Sequence, residues 1–252
     1  MTAHPTYPRP TIIEALCEVH FGLTEGHLWD TSLVDAFHDC VRKDYPTVEA
    51  IQELSVELNF GPTSLAQRAA VEGCRYRLRH KDRPLMLQLR DGVFTVNLLQ
   101  PYPGWPMMRQ TIIESWGIAR DVFAPSEIRR MGLRYISQVP RASEDDRVGD
   151  WIAGSDYVPT GVLGSQHSFM SRVEADLGSG NRMIVMLGEA SVADAGVYGS
   201  IFLDIDRIIR QTLPPDVELT DFLDGMHNEV WRVCSDSITP RLEQLLQEAG
   251  DA

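Results

Sequence analysis

The chain has 252 residues, of which 43% are hydrophobic and 23% charged, and its formal net charge is -13 at pH 7. These values are close to those of ordinary globular proteins and exclude disorder over most of the chain. No apolar run approaches the ~18 residues that span a bilayer, and residues 1–10 lack the basic start and apolar stretch of a secretion signal. We therefore expect a cytoplasmic protein without a membrane partner.

Charge is distributed unevenly along the chain. Residues 1–67 carry 3 basic and 10 acidic side chains, residues 68–134 carry 12 and 6, and residues 135–252 carry 8 and 20. The three segments therefore have net charges of -7, +6 and -12. A basic segment inside an acidic protein meets either an external anion or the acidic remainder of its own fold.

The chain opens with a strand followed by a helix. Apolar and polar residues alternate over 12–23, which predicts a strand. Asp30 or Thr31 is a suitable N-cap for the helix that follows and ends before Pro46. Its apolar stripe consists of Leu33, Phe37, Cys40 and Val41.

Further strands and a second helix complete the first half. Strands are predicted over 51–60, 74–80, 84–90 and 93–100. Asp91 and Gly92 predict a hairpin turn, because glycine adopts positive φ freely. The helix begins at Pro106, and its apolar side carries Met108, Ile112, Trp116, Ala119 and Phe123.

The second half follows a similar order. A strand over 128–139 precedes a short helix, for which Ser143 and Asp146 offer a variant capping box and Val148, Trp151 and Ile152 the apolar side. Strands are predicted over 168–177, 183–190 and 197–206. A long helix from Thr220 turns Phe222, Met226, Val230 and Cys234 inward. It restarts at Thr239 and Pro240 before Leu242, Leu245 and Leu246.

This order predicts an α+β protein. We expect two pseudo-repeated β-α-β-β-β-α modules, 1–126 and 127–252, forming one compact unit with antiparallel sheets packed on long helices. A single long antiparallel sheet gripping the helices is the alternative, and periodicity does not distinguish the two. The four cysteines, Cys17, Cys40, Cys74 and Cys234, lie in apolar patterns without a CxxC pair, which predicts buried thiols.

Five arginines of the basic segment are candidate ligand-binding residues. Arg75, Arg77 and Arg79 have strand spacing and share one face, as do Arg130 and Arg134 on the strand over 128–139. If both strands belong to one sheet, the five side chains converge on one surface. That surface either binds a phosphate, a nucleotide or a nucleic-acid backbone, or consists of internal ion pairs and a solvated face.

Two carboxylate pairs are candidate metal ligands. Glu174 with Asp176, and Asp204 with Asp206, each project from one face of a predicted strand. If the two strands are neighbours, the four carboxylates surround a hard cation such as Mg²⁺. The alternative is that Asp206 caps the following turn and that the first pair binds nearby arginines.

An aromatic loop over 102–106 joins a predicted strand to a predicted helix. It reads Tyr-Pro-Gly-Trp-Pro and holds Trp105 in a rigid setting. Such a ring either stacks on a ligand or covers the core where the helix begins. No Walker loop, dinucleotide fingerprint or GxSxG elbow is present in the sequence.

Short motifs at 10–15, 17–21, 102–105, 131–136 and 203–206 resemble those of a sporadically distributed family of uncharacterised bacterial and archaeal proteins. The resemblance spans nearly the full chain and implies a self-contained accessory protein without an established activity. Its motif positions are Glu14, Trp105, Arg134, Tyr135, Asp204 and Asp206. Ser137 stands where the family pattern leads us to expect Asn.

These observations favour a non-enzymatic binding module that presents arginines to an anionic small molecule or to an acidic protein surface. The predicted ligand-binding residues are Arg75, Arg77, Arg79, Trp105, Arg130, Arg134 and Tyr135. A Mg²⁺-dependent phosphohydrolase or nucleotide-processing enzyme is the first alternative. Nucleic-acid binding is the second, although the net charge of -13 opposes it. Segments of opposite charge also allow a homodimer.

Overall fold

The structure, a computed structural model, describes residues 4–60, 65–190 and 198–248, without the side chains of 53–60 and 65–72. This part of the chain contains nine strands and five helices. The strands are β1 (Ile12–Leu23), β2 (Thr47–Phe60), β3 (Leu65–Arg79), β4 (Leu85–Arg90), β5 (Val93–Leu99), β6 (Pro125–Pro140), β7 (Met170–Asp176), β8 (Arg182–Glu189) and β9 (Ser200–Ile209). The helices are α1 (Thr31–Val41), α2 (Trp105–Phe123), α3 (Val148–Trp151), α4 (Leu219–Ser237) and α5 (Pro240–Gln247).

All nine strands belong to one antiparallel sheet with the order β2-β3-β4-β5-β1-β6-β9-β8-β7. The predicted combination of helices with an antiparallel sheet is confirmed, in the form of one continuous sheet. Strands β1 and β6 pair at its centre. Residue 197, where the last strand was predicted to begin, lies outside the described residues.

The hydrophobic core lies between one face of the sheet and the helices. Ala15, Cys17, Val19 and Phe21 of β1 are buried at period 2, as the alternation predicts. All five apolar residues predicted for α2 are buried as well. Asp30 caps α1 as predicted, since its carboxylate accepts a hydrogen bond from the Ser32 amide at 2.7 Å.

Two predicted helix stripes are displaced by about one residue. The buried residues of α1 are Val34, Phe37 and Val41, so Cys40 is exposed. On α4 the buried apolar residues include Leu223 and Val233, whereas the predicted Phe222 and Cys234 are only half-buried. Neighbouring stripes on one helix differ by about 100°, and the packing partner decides which one is buried. The prediction of four buried thiols is therefore wrong for Cys40, and Cys74 is half-buried too.

The capping box predicted for the short helix is half formed. The helix α3 begins at Val148, and the Asp150 carboxylate accepts a hydrogen bond from the Arg147 amide at 2.7 Å. The Asp146 carboxylate accepts one from the Ser143 amide at 3.1 Å, as the predicted box requires, and further ones from the Ala142 amide at 2.7 Å and the Trp151 indole at 3.1 Å. It also forms an ion pair with Arg241 of α5 at 2.9 Å. A buried carboxylate needs several donors, and this one is used to join three segments of the chain.

None of the helices within the described residues combines the length and apolarity needed to cross a bilayer. The cytoplasmic location, the homodimer and the division into 1–126 and 127–252 stay predictions.

Candidate functional site

One face of the sheet packs against the helices, and the other carries charged residues at its centre. Because residues directly opposite in register share a face, Glu18 of β1, Arg130 and Arg134 of β6, and Asp204 and Asp206 of β9 lie together on the second face. We call this the polar face. Basic β6 is therefore bordered by acidic residues on both neighbouring strands.

The five predicted arginines lie on the polar face but do not converge. Strands β4, β5 and β1 separate β3 from β6, a distance of roughly 19 Å at the usual strand spacing. Arg75 and Arg77 each approach Gln88 Oε1 at 3.4 Å, and Arg79 lies 3.6 Å from Glu49. The single converging surface predicted from sequence is therefore wrong.

The arginines of β6 bind carboxylates of the neighbouring strands. Arg130 Nη1 donates to Glu18 Oε1 at 2.6 Å and also contacts His20. Arg134 binds Asp204 through two parallel hydrogen bonds, Nε to Oδ1 at 2.8 Å and Nη2 to Oδ2 at 2.5 Å. This fork geometry raises the pKa of Arg134 despite its partial burial. Both guanidinium groups therefore serve the fold through internal pairs.

Two carboxyl groups beside Gly132 titrate in opposite directions. Burial raises the pKa of Asp206 to about 6, against the attraction of Arg130 and Arg134. Burial also acts to raise the pKa of Glu18, but hydrogen bonds and charge from His20 and Arg130 outweigh it and lower that pKa to about 2. An added Cβ at Gly132 would lie 3.8 Å from Asp206 Oδ1 and 3.7 Å from Arg130 Nη2. A methyl group at this position would therefore make only ordinary van der Waals contacts with these side chains.

The predicted Mg²⁺ site lacks the geometry that it requires. Strand β8 lies between β7, which carries Glu174 and Asp176, and β9, which carries Asp204 and Asp206. Glu174 binds Arg172 and Arg182, and Asp204 binds Arg134. The described residues contain no group of three or more side chains that could hold a metal ion. The condition for the four carboxylates to surround one cation, that the two strands are neighbours, is therefore not met.

Trp105 and Tyr135 lie on the helix side of the sheet, away from the arginines. Trp105 stacks on His227 at 4.2 Å, and its indole donates to Asp224 at 2.8 Å. The buried Tyr135 hydroxyl lies 3.1 Å from that of Tyr102. Burial lowers the pKa of His227 to about 4, helped by His4 and Arg109. Trp105 packs against the hydrophobic core and Tyr135 belongs to it, and ligand binding at either residue stays a prediction.

A cavity of about 820 Å³ lies where β1 and β9 end and β5 and β6 begin. The turn at Gly92 closes one side, with φ of 63° and a carbonyl that accepts a hydrogen bond from the Phe21 amide at 2.9 Å. Four arginines and two histidines line the cavity, namely Arg90, Arg129, Arg130, Arg210, His20 and His27. We call it the arginine cavity. Asp91 is the only carboxylate among the described residues that line it.

The arginine cavity holds unsatisfied donors. Arg90 Nε is buried without a hydrogen-bond partner among the described residues, and so is Arg130 Nε. The Arg210 guanidinium likewise pairs with no carboxylate of the described part of the chain. Arg129 Nε forms an ion pair with Glu127 Oε1 at 2.8 Å, but its side chain is 60% exposed. The site can therefore donate several charge-assisted hydrogen bonds to an oxyanion.

Sequence reasoning missed three of these arginines, while Arg130 belonged to the predicted set. Arg90 precedes the Asp91-Gly92 turn, and Arg210 follows the last strand directly. An arginine at the end of a strand is a weak signal, because it indicates an exposed position without a partner. Arg90 and Arg210 lie near one another because of the order of the strands in the sheet. The periodicity of the sequence gives no information on that order.

No protein-family model matches the chain, and no curated protein matches it. The resemblance to the sporadically distributed family therefore stays a prediction based on the short motifs given above. The case for a function depends on the geometry of the arginine cavity.

Proposed function

We propose that this chain is a binding protein for an anionic ligand and that the arginine cavity holds the anion. The observation that supports this proposal is a cavity lined by four arginines and one described carboxylate. The net charge of the whole protein is -13, so the cavity is locally basic in a protein that is acidic overall. A cleft with charge of one sign raises the local concentration of counter-ions of the other.

The unpaired Nε–H of Arg90 favours the binding of an anion, because it lacks an acceptor in the free protein. A buried N–H without an acceptor costs about 1–3 kcal/mol, and more when the group is charged. An oxyanion that accepts from Arg90 removes this cost on binding. The planar guanidinium of Arg90, Arg129 or Arg210 suits two-pronged contacts to phosphate or carboxylate.

A concave site favours a small anion over an acidic protein surface. Arg130 forms an ion pair with Glu18, and Arg134 with Asp204, so the centre of the polar face has little unpaired positive charge. Arg90 and Arg210, which line the arginine cavity, form no ion pair with a carboxylate of the described residues. This supports the anionic small molecule as the ligand.

Calorimetric titration with inorganic pyrophosphate at physiological salt tests the proposal. We expect wild-type protein to bind, and Arg90→Gln and Arg210→Gln each to weaken binding about tenfold or more, because each loses a charge-assisted donor. Arg172→Gln is the matched control, since Arg172 pairs with Glu174 on the edge strand β7 and lies outside the cavity. Equal losses in all three variants, or no binding by wild type, would contradict the proposal.

We also infer that the two halves of the chain are pseudo-repeated modules. Reading outward from the central β1–β6 pair, the sheet continues as β5, β4, β3 and β2 on one side and as β9, β8 and β7 on the other, so the first half contributes one strand more. Expression of residues 1–126 alone tests the division between the modules. Cooperative unfolding of that fragment supports it, and an unfolded fragment counts against it.

A further inference from the structure

We propose that the ligand of the arginine cavity is a nucleoside phosphate, whose planar base occupies a second cavity against Trp29. This inference rests on the proposed function and names the class of ligand for the same site. The second cavity has a volume of about 310 Å³. It shares Trp29, Arg90 and Asp91 with the arginine cavity, so the two are contiguous.

The size of the site exceeds what a lone phosphate needs. Sites of about 300–1,000 Å³ typically enclose organic molecules of drug size. The arginine cavity alone, at about 820 Å³, lies in the upper part of that range. A ligand that fills both cavities therefore carries a substantial organic group beside its anion.

The two cavities differ in charge. Four arginines line the first cavity, whereas Arg90 is the only basic residue among the described residues that line the second. The carboxylates of Asp30 and Asp91 line the second cavity as well. The Asp30 carboxylate already accepts hydrogen bonds from the amide and the hydroxyl of Ser32. The Asp91 carboxylate accepts none from the described residues. The second cavity therefore suits a neutral group with N–H donors, and not a second anion.

Aromatic side chains give the second cavity a stacking surface. Trp29 and Tyr76 both line it, and both are half-buried. Trp29 is held in place by an edge contact with Phe123, at 5.4 Å between ring centroids and 61° between planes. A fixed ring presents its free surface at low entropic cost, and every nucleobase has a π-face to stack on it.

The position of Arg90 links the two parts of such a ligand. Its side chain borders both cavities, and its Nε is buried without a hydrogen-bond partner among the described residues. A base, a sugar and a phosphate chain joined in this order place donors against Asp91 and oxygens against the arginines. A nucleoside diphosphate has this arrangement.

The test is the ratio of affinities for nucleoside diphosphates and pyrophosphate, measured by calorimetry on the full chain. We expect at least one of ADP, GDP, CDP and UDP to bind about tenfold more tightly than pyrophosphate, since stacking on Trp29 adds to phosphate binding. Trp29→Leu should reduce the ratio to about one, and Trp29→Phe should retain most of it. Partial unfolding of a variant weakens both ligands equally and leaves the ratio unchanged.

Asp91→Asn is a second variant that tests the same inference, because Asp91 lines both cavities. Asn-Gly also suits the turn, so the fold is retained. Loss of the negative charge strengthens pyrophosphate binding, and replacement of one carboxylate oxygen by an amide NH2 weakens the contact with the N–H donors of the base, so the ratio falls. If pyrophosphate binds but the ratio is already one in wild type, or is unaffected by Trp29→Leu, this inference is wrong and the anion site stands. If neither pyrophosphate nor any nucleotide binds, the proposed function itself fails.

Discussion

Asp206 is a carboxyl group whose ionisation opposes folding. Its pKa in the folded protein is about 6, above its ordinary value of 3.8, because burial removes water from the carboxylate. Asp206 forms no hydrogen bond with the described residues, whereas its neighbour Asp204 binds Arg134. Since the folded state holds the proton more tightly, stability falls as pH rises from about 4 to about 6.

Asp206→Asn should therefore stabilise the protein at pH 7.5, by an amount on the order of 1–3 kcal/mol. Near pH 4, where the wild-type carboxyl is protonated, the variant and wild type should be about equally stable. Urea unfolding at the two pH values measures the difference. Asp204→Asn is the matched control and should destabilise the protein, because it leaves Arg134 without its partner. A loss of stability in Asp206→Asn at pH 7.5 would refute this account.

His227 acts in the opposite direction over a similar pH range. Its folded pKa of about 4 lies below the ordinary 6.5, so the unfolded state takes up the proton first as pH falls. Wild-type stability should therefore decrease between pH 6.5 and 4 through this group. His227→Phe keeps a ring against Trp105 and removes the titration.

The stability of His227→Phe should fall less steeply with acid than that of wild type, by a total on the order of 2–3 kcal/mol. Urea unfolding across this pH range measures the slope. Asp206→Asn serves as its counterpart, since it should change the slope with the opposite sign. An unchanged slope in His227→Phe would show that this histidine takes up its proton over the same pH range in the folded and the unfolded state, and would contradict the prediction.

At the scale of single elements, Gly22 of β1 supports the arginine cavity. A Cβ added there would lie 2.5 Å from Arg129 Nη2. The guanidinium is the flexible end of a side chain, so Gly22→Ala should displace it with little cost to the strand. We expect about three- to tenfold weaker pyrophosphate binding and a nearly unchanged free energy of unfolding.

Calorimetry and urea unfolding of Gly22→Ala measure these two quantities. Gly164→Ala is the control, because nothing lies within 4 Å of the Cβ that it would add. Full affinity in Gly22→Ala would mean that the position of Arg129 has no influence on the anion. A large loss of stability would mean that the strand does not tolerate the methyl group.

The elements themselves were largely predictable from local patterns. The strand β1 and the helix α2 follow their apolar periodicity, because each buries one side against a single core. The exposed Cys40 shows the limit of this reasoning. A stripe through Leu33, Phe37 and Cys40 is as periodic as one through Val34, Phe37 and Val41, and only the packing partner distinguishes them.

At the scale of the whole molecule, the strand order explains the uneven charge. Basic β6 lies between β1 from the first acidic segment and β9 from the last. Arg130 therefore finds Glu18, and Arg134 finds Asp204. The sequence predicted two possible partners for the basic segment, an external anion or the acidic remainder of the fold, and these two arginines bind the latter.

The arginine cavity could not be predicted because its residues come from distant parts of the chain. Arg90, Arg129 and Arg210 meet only because β5, β1, β6 and β9 are neighbours in the sheet. Residue spacing reports which side of its own strand a residue occupies, but not which strands are adjacent. A site formed at the ends of four strands therefore becomes visible only with the fold.

The most direct measurement is a crystal structure of the protein soaked with tungstate, a tetrahedral oxyanion that can be located by its anomalous scattering. The account predicts one strong site inside the arginine cavity, within hydrogen-bond distance of Arg90 and of Arg129 or Arg210. A strong site at Arg75 and Arg77 on β3, or no ordered tungstate in the cavity at saturating concentration, would contradict it.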